Sequence, residues 1–294
     1  MIKIIFFIYL IYKYNIIMDC YSKKRNTCFI YKNDLKFNEN INMEESEFES
    51  DYVKQIYNNF KNKPKIELRI EDCIMENYRY LDLSKLNIDD ESLIKLFELE
   101  KIKKILCRIE FLDLAHNKLK LLPDLKKYPN ILYLSVSFNE IEQDILDNNL
   151  LELTCHNNKI KSIKSNKITH INASNNNIDS IDVPNIMVLV ISYNKLNYIQ
   201  SYLNLTYLEC IGNQIKRIDS MYNLEELYIG ENNVLNISNM PKLKVLNCVF
   251  NPLEKIKYFS NLKTLMSSTS KISSQYNVSN MTKIKSDFLI NFIP

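Results

Sequence analysis

A sequence pattern of nineteen residues occurs four times in succession between Ile186 and Ile256, and it constrains the fold more than any other feature. Each copy has aliphatic residues at positions 1, 4, 11 and 14, an aliphatic residue or cysteine at position 6, and asparagine at position 9. The copies begin at Ile186, Leu205, Leu224 and Leu243. A fixed period of this size indicates stacked units that share one continuous core.

Looser copies extend this array on both sides. Seven further units begin at Tyr78, Ile109, Ile131, Leu150, Ile168, Leu262 and Met281, which makes eleven in all. Asparagine occupies the ninth position in eight of them: Asn117, Asn139, Asn158, Asn176, Asn194, Asn213, Asn232 and Asn251. The last two units have Ser270 and Leu289 there instead, and this decay predicts a C-terminal cap.

The first unit is longer than the later ones. It has Leu86 at the ninth position and is followed by Asp89–Leu106, where Leu93, Leu96 and Phe97 have helical spacing. Asp90 is the expected cap of this helix. Later connections are too short for a helix, so the side opposite the strands is expected to be extended or 3-10.

This pattern resembles the leucine-rich repeat (LRR) family, in a class with short units of 18–22 residues and an asparagine ladder. The resemblance implies an α/β solenoid: an LRR horseshoe with a parallel concave β-sheet, a mostly irregular or 3-10 convex side and an N-terminal helical cap. It also implies that the ladder asparagines bond backbone groups of the turn after each strand, and that the concave face binds the partner.

Strand alternation predicts which residues face outward on the concave side. Aromatic side chains on an exposed sheet are favoured as binding anchors, although those beside the ladder could instead cover the loop edge. The residues expected to bind a partner are Tyr133, Phe138, His156, His170, Tyr193, Tyr207, Glu209, Glu226, Tyr228 and Phe250.

The chain before the repeats is expected to form two parts. Residues 1–43 are an apolar segment followed by a polar lead-in, and residues 44–76 are a cap made of an amphipathic helix, Glu44–Asn62, and a strand, Lys65–Ile70. Residues 77–294 form the repeat domain. The apolar segment Met1–Ile17 is left open between a signal, a membrane anchor, spurious upstream sequence with a second start at Met18, and a packed segment.

Composition excludes few classes of protein. The net charge of +3 is too small to indicate nucleic acid or an anionic membrane. Abundant Asn, Ile, Lys and Tyr indicate an AT-rich genome. The seven cysteines form no CxxC pair, which favours reduced thiols in the cytoplasm. The five glycosylation sequons, at Asn172, Asn204, Asn236, Asn277 and Asn280, are read as incidental unless the N-terminus is a signal.

Candidates for chemistry are scarce. No phosphate-binding, dinucleotide-binding or zinc-protease motif is present. Alternation places Cys155 and His156 on opposite faces, so they cannot form a dyad. The sequence predicts a non-enzymatic protein-interaction scaffold without cofactor, metal, nucleic acid or small-molecule substrate. The alternative is a secreted or membrane-anchored recognition protein that uses residues 1–17.

Overall fold

The main element of the fold is a parallel sheet of eleven strands. The computed structural model describes residues 66–67, 69–70, 73–74, 78–146, 149–253, 259–267 and 283–285, all within one compact unit, Phe48–Pro294. The strands are, in chain order, Tyr80–Asp82 (β1), Phe111–Asp113 (β2), Tyr133–Ser135 (β3), Glu152–Thr154 (β4), Ser162–Lys164 (β5), His170–Asn172 (β6), Ser180–Asp182 (β7), Val188–Val190 (β8), Tyr198–Ile199 (β9), Tyr207–Glu209 (β10), Arg217–Ile218 (β11), Glu226–Tyr228 (β12), Asn236–Ile237 (β13), Val245–Asn247 (β14), Thr264–Met266 (β15) and Lys283–Lys285 (β16).

The large sheet follows the repeat, one strand per unit. Its order is β1-β2-β3-β4-β6-β8-β10-β12-β14-β15-β16, and each strand begins two residues after the first residue of its unit. The register never shifts, so equivalent positions are neighbours: Leu208 pairs with Leu189 on one side and with Leu227 on the other. The predicted α/β solenoid of eleven units is confirmed.

The core lies behind this sheet. The fourth- and sixth-position residues, such as Leu208 and Cys210, are fully buried. Ile215 and Ile218, at positions 11 and 14 of the same unit, are fully buried too. Burying an aliphatic side chain of this size stabilises the fold by roughly 1.5–3 kcal/mol. Four larger side chains at one register seal the convex side of the core: Tyr202, Met221, Met240 and Phe259.

The convex side is mostly irregular, with short extended segments. Strands β5 and β7 form one small parallel sheet, and β9, β11 and β13 form another. A single 3-10 helix, Leu125–Lys127, occurs among the described residues, and the side chain of Asp124 caps it by accepting from the backbone N–H of Lys126. Five or six residues between units leave room for extended chain and little else.

The first unit carries both α-helices that the structure describes after residue 78, Asp90–Glu98 (α1) and Glu100–Leu106 (α2). The expected cap was one residue off. Asp89 caps α1, since its carboxylate accepts from the N–H of Ser92 at 2.9 Å. Asp90 begins the helix, and its carboxylate accepts from the N–H groups of Lys120 and Leu121 in the next unit, because its side chain points along the array.

The strand predicted over Lys65–Ile70 is wrong for the residues that the structure describes there. Residues 66–67, 69–70 and 73–74 are helical. Ile66, Ile70 and Cys73 are buried, and their spacing places them on one face of a helix. The alternation of apolar and charged residues fitted both structures, and packing against the first unit favours the helix. The predicted helix Glu44–Asn62, the segment 1–43 and the positions of Ser270 and Leu289 lie outside the described residues.

In the part of the chain that the structure describes, none of the helices combines the length and the apolar character needed to cross a bilayer.

Candidate functional site

A continuous ladder of asparagine amides runs beside the large sheet. All eight ninth-position asparagines are buried. In Asn213 the amide donates to the carbonyl oxygens of Cys210 in its own unit and Ile191 in the preceding one, while its Oδ1 accepts from the N–H of Leu196 at 3.0 Å. The same set of partners recurs along the array, with the bond to the preceding unit present for each asparagine. The ladder therefore joins each unit to the one before it.

The residue before each ladder asparagine has a left-handed backbone. This eighth position has φ between 52° and 64° in every unit from Tyr78 to Leu243: Lys85, His116, Phe138, Asn157, Asn175, Tyr193, Gly212, Glu231 and Phe250. The turn directs the following asparagine inward. Asn and Gly adopt this conformation readily, whereas other residues lose about 1–2 kcal/mol relative to a right-handed backbone.

Three aromatic residues occupy this unfavourable conformation and remain exposed. Phe138, Tyr193 and Phe250 are 37%, 51% and 55% exposed. The ring of Tyr193 lies against the next unit, where a Cβ on Gly212 would be only 2.5 Å from Cδ1 of the tyrosine. A bulky residue at positive φ is uncommon and indicates either function or local strain. The signal in the sequence for this backbone conformation is that Asn157, Asn175 and Gly212 share the position.

We use the term "sheet face" for the third, fifth, seventh and eighth positions of the units, which point away from the core. Several of its polar residues serve the fold. The fifth-position carboxylates of Asp82 and Asp113 accept from the N–H two residues later, each at 2.9 Å, and the amide oxygen of Asn172 does so at 3.3 Å. These bonds tighten the turn that leads to the ladder.

Four residues of the sheet face on β10 and β12 form a square of two tyrosines and two glutamates. Tyr207 pairs with Glu226, and Glu209 pairs with Tyr228. The rings of Tyr207 and Tyr228 are 5.6 Å apart, and each hydroxyl donates to the glutamate of its own strand at 3.1 Å. Burial, then the charge of Glu209, raises the pKa of Tyr207 far above its usual value, so this hydroxyl keeps its proton.

Some of the ten residues expected to bind a partner are less exposed than the sequence predicted. Tyr207, Tyr228 and His156 are buried, with 3%, 9% and 3% of their surface exposed. The glutamates Glu209 and Glu226 are half-buried, as are Tyr133 and His170. Side chains on adjacent strands lie about 4.8 Å apart, so large ones cover each other even on an outward face. Phe138, Tyr193 and Phe250 therefore offer more surface than the tyrosines of the square.

The three histidines do not form one centre. The ring of Phe138 stacks on His116 with centroids 4.2 Å apart and meets His156 edge-on at 4.9 Å. The amide of Asn157 donates to Nδ1 of His156 at 2.7 Å, and burial lowers the pKa of His156 to about 4. Burial also lowers the pKa of His170, whose Nδ1 lies 3.9 Å from the Glu152 carboxylate on the neighbouring strand.

The cysteine of the sequence Cys155-His156 points into the core, opposite to the histidine. Cys155, Cys210 and Cys248 are buried and free, and burial raises the pKa of each thiol. A neutral buried thiol acts as a small apolar side chain. Over the described residues, no group of three or more His, Cys, Asp or Glu side chains has the arrangement of a metal site.

Several basic residues lie off the sheet face, in the segment that follows it, although Lys85 holds an exposed eighth position on that face. Lys118, Lys159, Lys195, Lys216 and Arg217 are all exposed in that segment. Some pair locally: Lys159 Nζ lies 3.2 Å from Glu142, and the Arg217 guanidinium lies 2.9 Å from Asp219. These side chains therefore form a solvated edge beside the sheet face.

No protein-family model matches this sequence, and no curated protein is significantly similar to it. Solved structures do resemble the fold. The leucine-rich repeat domain of APL1B has a TM-score of 0.55 and 21% identity, over 68% of this chain and 64% of that one. The functional domain of InlJ from Listeria monocytogenes has a TM-score of 0.48 and 20% identity, over 68% and 50%.

A third solved structure, the LRIM1/APL1C complex, has a TM-score of 0.42 and 19% identity, over 65% of this chain and 39% of that one. The matched region is less than two thirds of each of these three chains. The likeness to APL1B, the stacked parallel strands and the asparagine ladder all describe one architecture. The protein is therefore a solenoid with the leucine-rich-repeat fold.

Proposed function

We propose that this chain is a non-enzymatic scaffold that binds a protein partner through its sheet face. The observation that carries the proposal is the placing of Phe138, Tyr193 and Phe250 in a left-handed conformation with their rings exposed. Asparagine or glycine at these positions would cost the fold less. An aromatic residue kept there against that cost is favoured as an anchor in an interface.

The rigid sheet supports the same proposal. The eleven strands are in unbroken register, and the ladder fixes the turn from which these aromatic residues project. A preformed surface loses little conformational entropy on binding. The proposal does not depend on Tyr207 or Tyr228 contacting the partner, because their rings are already buried.

The test is an affinity capture with the full chain and two variants. The first variant combines Phe138→Asn, Tyr193→Asn and Phe250→Asn, which removes the anchors and suits the backbone. The control combines Leu203→Asn and Tyr222→Asn, which removes two exposed apolar side chains away from the sheet face. We expect the wild type and the control to capture the same partner and the triple variant to lose it. Equal capture by all three would overturn the proposal.

We also propose that the scaffold acts in the cytoplasm. All five cysteines that the structure describes are free, which suits a reducing compartment. Asn172 of one sequon is buried and bonds the N–H of Ser174, so it is not an acceptor for a glycan in the folded chain. Asn204 and Asn236 are exposed. Intact mass of the protein from its native source tests this proposal: glycosylation at either residue, or removal of residues 1–17, would contradict it.

A further inference from the structure

The part of the sheet face that β8, β10, β12 and β14 form is apolar and acidic. We call it the C-terminal patch: the outward positions of the four units that begin at Ile186, Leu205, Leu224 and Leu243. These sixteen positions hold three carboxylates, from Glu209, Glu226 and Glu231, and no lysine, arginine or histidine. Most of the others are valine, isoleucine or aromatic residues. The patch is therefore an apolar surface that carries negative charge.

Two of these carboxylates are held in place by neutral donors. The Oε1 of Glu209 accepts from the Ser192 hydroxyl at 2.9 Å, and its Oε2 accepts from the Tyr207 hydroxyl at 3.1 Å. The Oε2 of Glu226 accepts from the Tyr228 hydroxyl at 3.1 Å. A hydroxyl orients a carboxylate without neutralising it. The square thus presents two oriented negative charges on adjacent strands.

Apolar surface lies on both sides of this square. Tyr193 and Phe250 hold the eighth positions of the first and last units of the patch, and both are about half exposed. Val188 and Val245 are half-buried at the third positions of the same units. A partner that meets the carboxylates thus also meets aromatic and aliphatic groups to either side.

We infer that the C-terminal patch binds a basic segment of the protein partner, in which lysine or arginine alternates with apolar side chains. This inference rests on the proposed function and names the chemistry of its partner. The basic groups reach Glu209 and Glu226, and the apolar side chains pack on Tyr193 and Phe250. Charge complementarity selects this occupant, because the three carboxylates repel the phosphates of nucleic acid and of anionic membranes.

The probe for this inference is a displayed library of random octapeptides, selected on the full chain. We expect the selected peptides to be rich in arginine or lysine next to leucine, isoleucine or an aromatic residue. The Kd of a selected peptide is then measured by fluorescence anisotropy. It should rise with salt between about 50 and about 500 mM NaCl, because ion pairs at a surface are screened.

Two variants with matched charge decide the site. Glu209→Gln with Glu226→Gln keeps one acceptor oxygen on each side chain and removes two charges, and it should weaken peptide binding at least about tenfold. The second oxygen of Glu209 becomes an NH2 group, which can donate to the hydroxyl of Ser192 or Tyr207. Asp179→Asn with Asp182→Asn removes two charges from the convex side and should leave the Kd unchanged. Thermal melts by circular dichroism verify that both variants are folded.

The outcomes separate this inference from the proposed function. Peptides that lack basic residues but are lost with Phe138→Asn, Tyr193→Asn and Phe250→Asn overturn the inference and leave the proposed function standing. Basic peptides that bind the Gln variant as well as the wild type also overturn the inference. Peptides that bind the triple variant as well as the wild type overturn both.

Discussion

The ring of Tyr193 lies directly over the backbone of Gly212, so that a Cβ on the glycine would be 2.5 Å from Cδ1 and 2.7 Å from Cε1 of the tyrosine. Gly212 has φ of +64°, and Tyr193 itself has φ of 56°. The two residues hold the same position in successive units. A residue without a side chain in one unit thus makes room for an aromatic residue in the unit before it.

Gly212→Ala should lower the free energy of unfolding by about 1–2 kcal/mol, because alanine is strained at this φ. The exposed ring of Tyr193 can swing aside, so the clash adds less than a buried one would. Urea unfolding followed by circular dichroism measures the effect. In a Tyr193→Asn background the cost of Gly212→Ala should be smaller. An identical cost in both backgrounds would show that the ring does not press on this position.

Tyr193→Asn should leave the free energy of unfolding unchanged or raise it by up to about 1 kcal/mol, since asparagine suits the left-handed region better than tyrosine. The exposed ring contributes little packing to offset this gain. Lys85→Asn, at the same position of the first unit, is the matched comparison for backbone strain outside the C-terminal patch. A loss of more than about 1 kcal/mol in Tyr193→Asn would mean that the ring is a structural cover.

Asn213→Ala should destabilise the protein by about 1–3 kcal/mol, because it leaves the Leu196 N–H buried without its acceptor. The Ile191 carbonyl also loses one of its two amide donors and keeps the one from Asn194. Asn197→Ala removes an exposed asparagine of the adjacent unit and should change stability by less than about 0.5 kcal/mol. Chemical denaturation of both variants makes the comparison. Equal effects would contradict the structural role of the ladder.

Stability should depend on pH through His156. Burial lowers the pKa of this residue to about 4, whereas in the unfolded chain it is near 6.5. Below pH about 6.5 the unfolded chain therefore binds a proton that the folded chain refuses until pH about 4. Stability from the neutral ring is complete above pH about 6.5 and falls as the pH drops toward 4, by up to about 3 kcal/mol.

The matched variant for this effect is His156→Ser, because serine occupies the seventh position in several other units, including Ser137 and Ser192. Urea unfolding at pH 7 and pH 5 should show a smaller loss for His156→Ser than for the wild type. If the loss is the same in both, His116 and His170, whose pKa burial also lowers, account for the acid sensitivity instead of His156. The melts also report whether serine leaves a harmful cavity beside Phe138.

The sequence predicted the parts of this fold that depend on a repeated position. The strand of each unit lies where alternation placed it, because Leu208 and its equivalents have no other way to be buried together. It did not predict the burial of Tyr207 and Tyr228, which depends on the side chains that stand beside them in neighbouring strands. The sequence also did not predict which residue caps helix α1. Asp89 and Asp90 are adjacent acidic residues, and only the backbone geometry distinguishes their roles.

The strain at the eighth position was visible in the sequence in part. Asn157, Asn175 and Gly212 indicate a left-handed backbone there, and the fixed register extends that inference to Phe138, Tyr193 and Phe250. The chemistry of the partner could not be predicted from the sequence alone, because the charge of a surface patch depends on which glutamates lie on neighbouring strands. Glu209 and Glu226 come together only through the register of β10 and β12.

The asparagine ladder has a consequence for how such a molecule can change its size. Each amide bonds only its own unit and the one before it, so the junctions from Asn117 to Asn251 all have the same hydrogen bonds. Duplicating or deleting one whole unit, such as residues 224–242, would leave the ladder bonds at every remaining junction intact and would keep Gly212 beside Tyr193. The sheet face can thus become longer or shorter by whole units during evolution, and so contact a larger or smaller target, without a change in the residues that join the units.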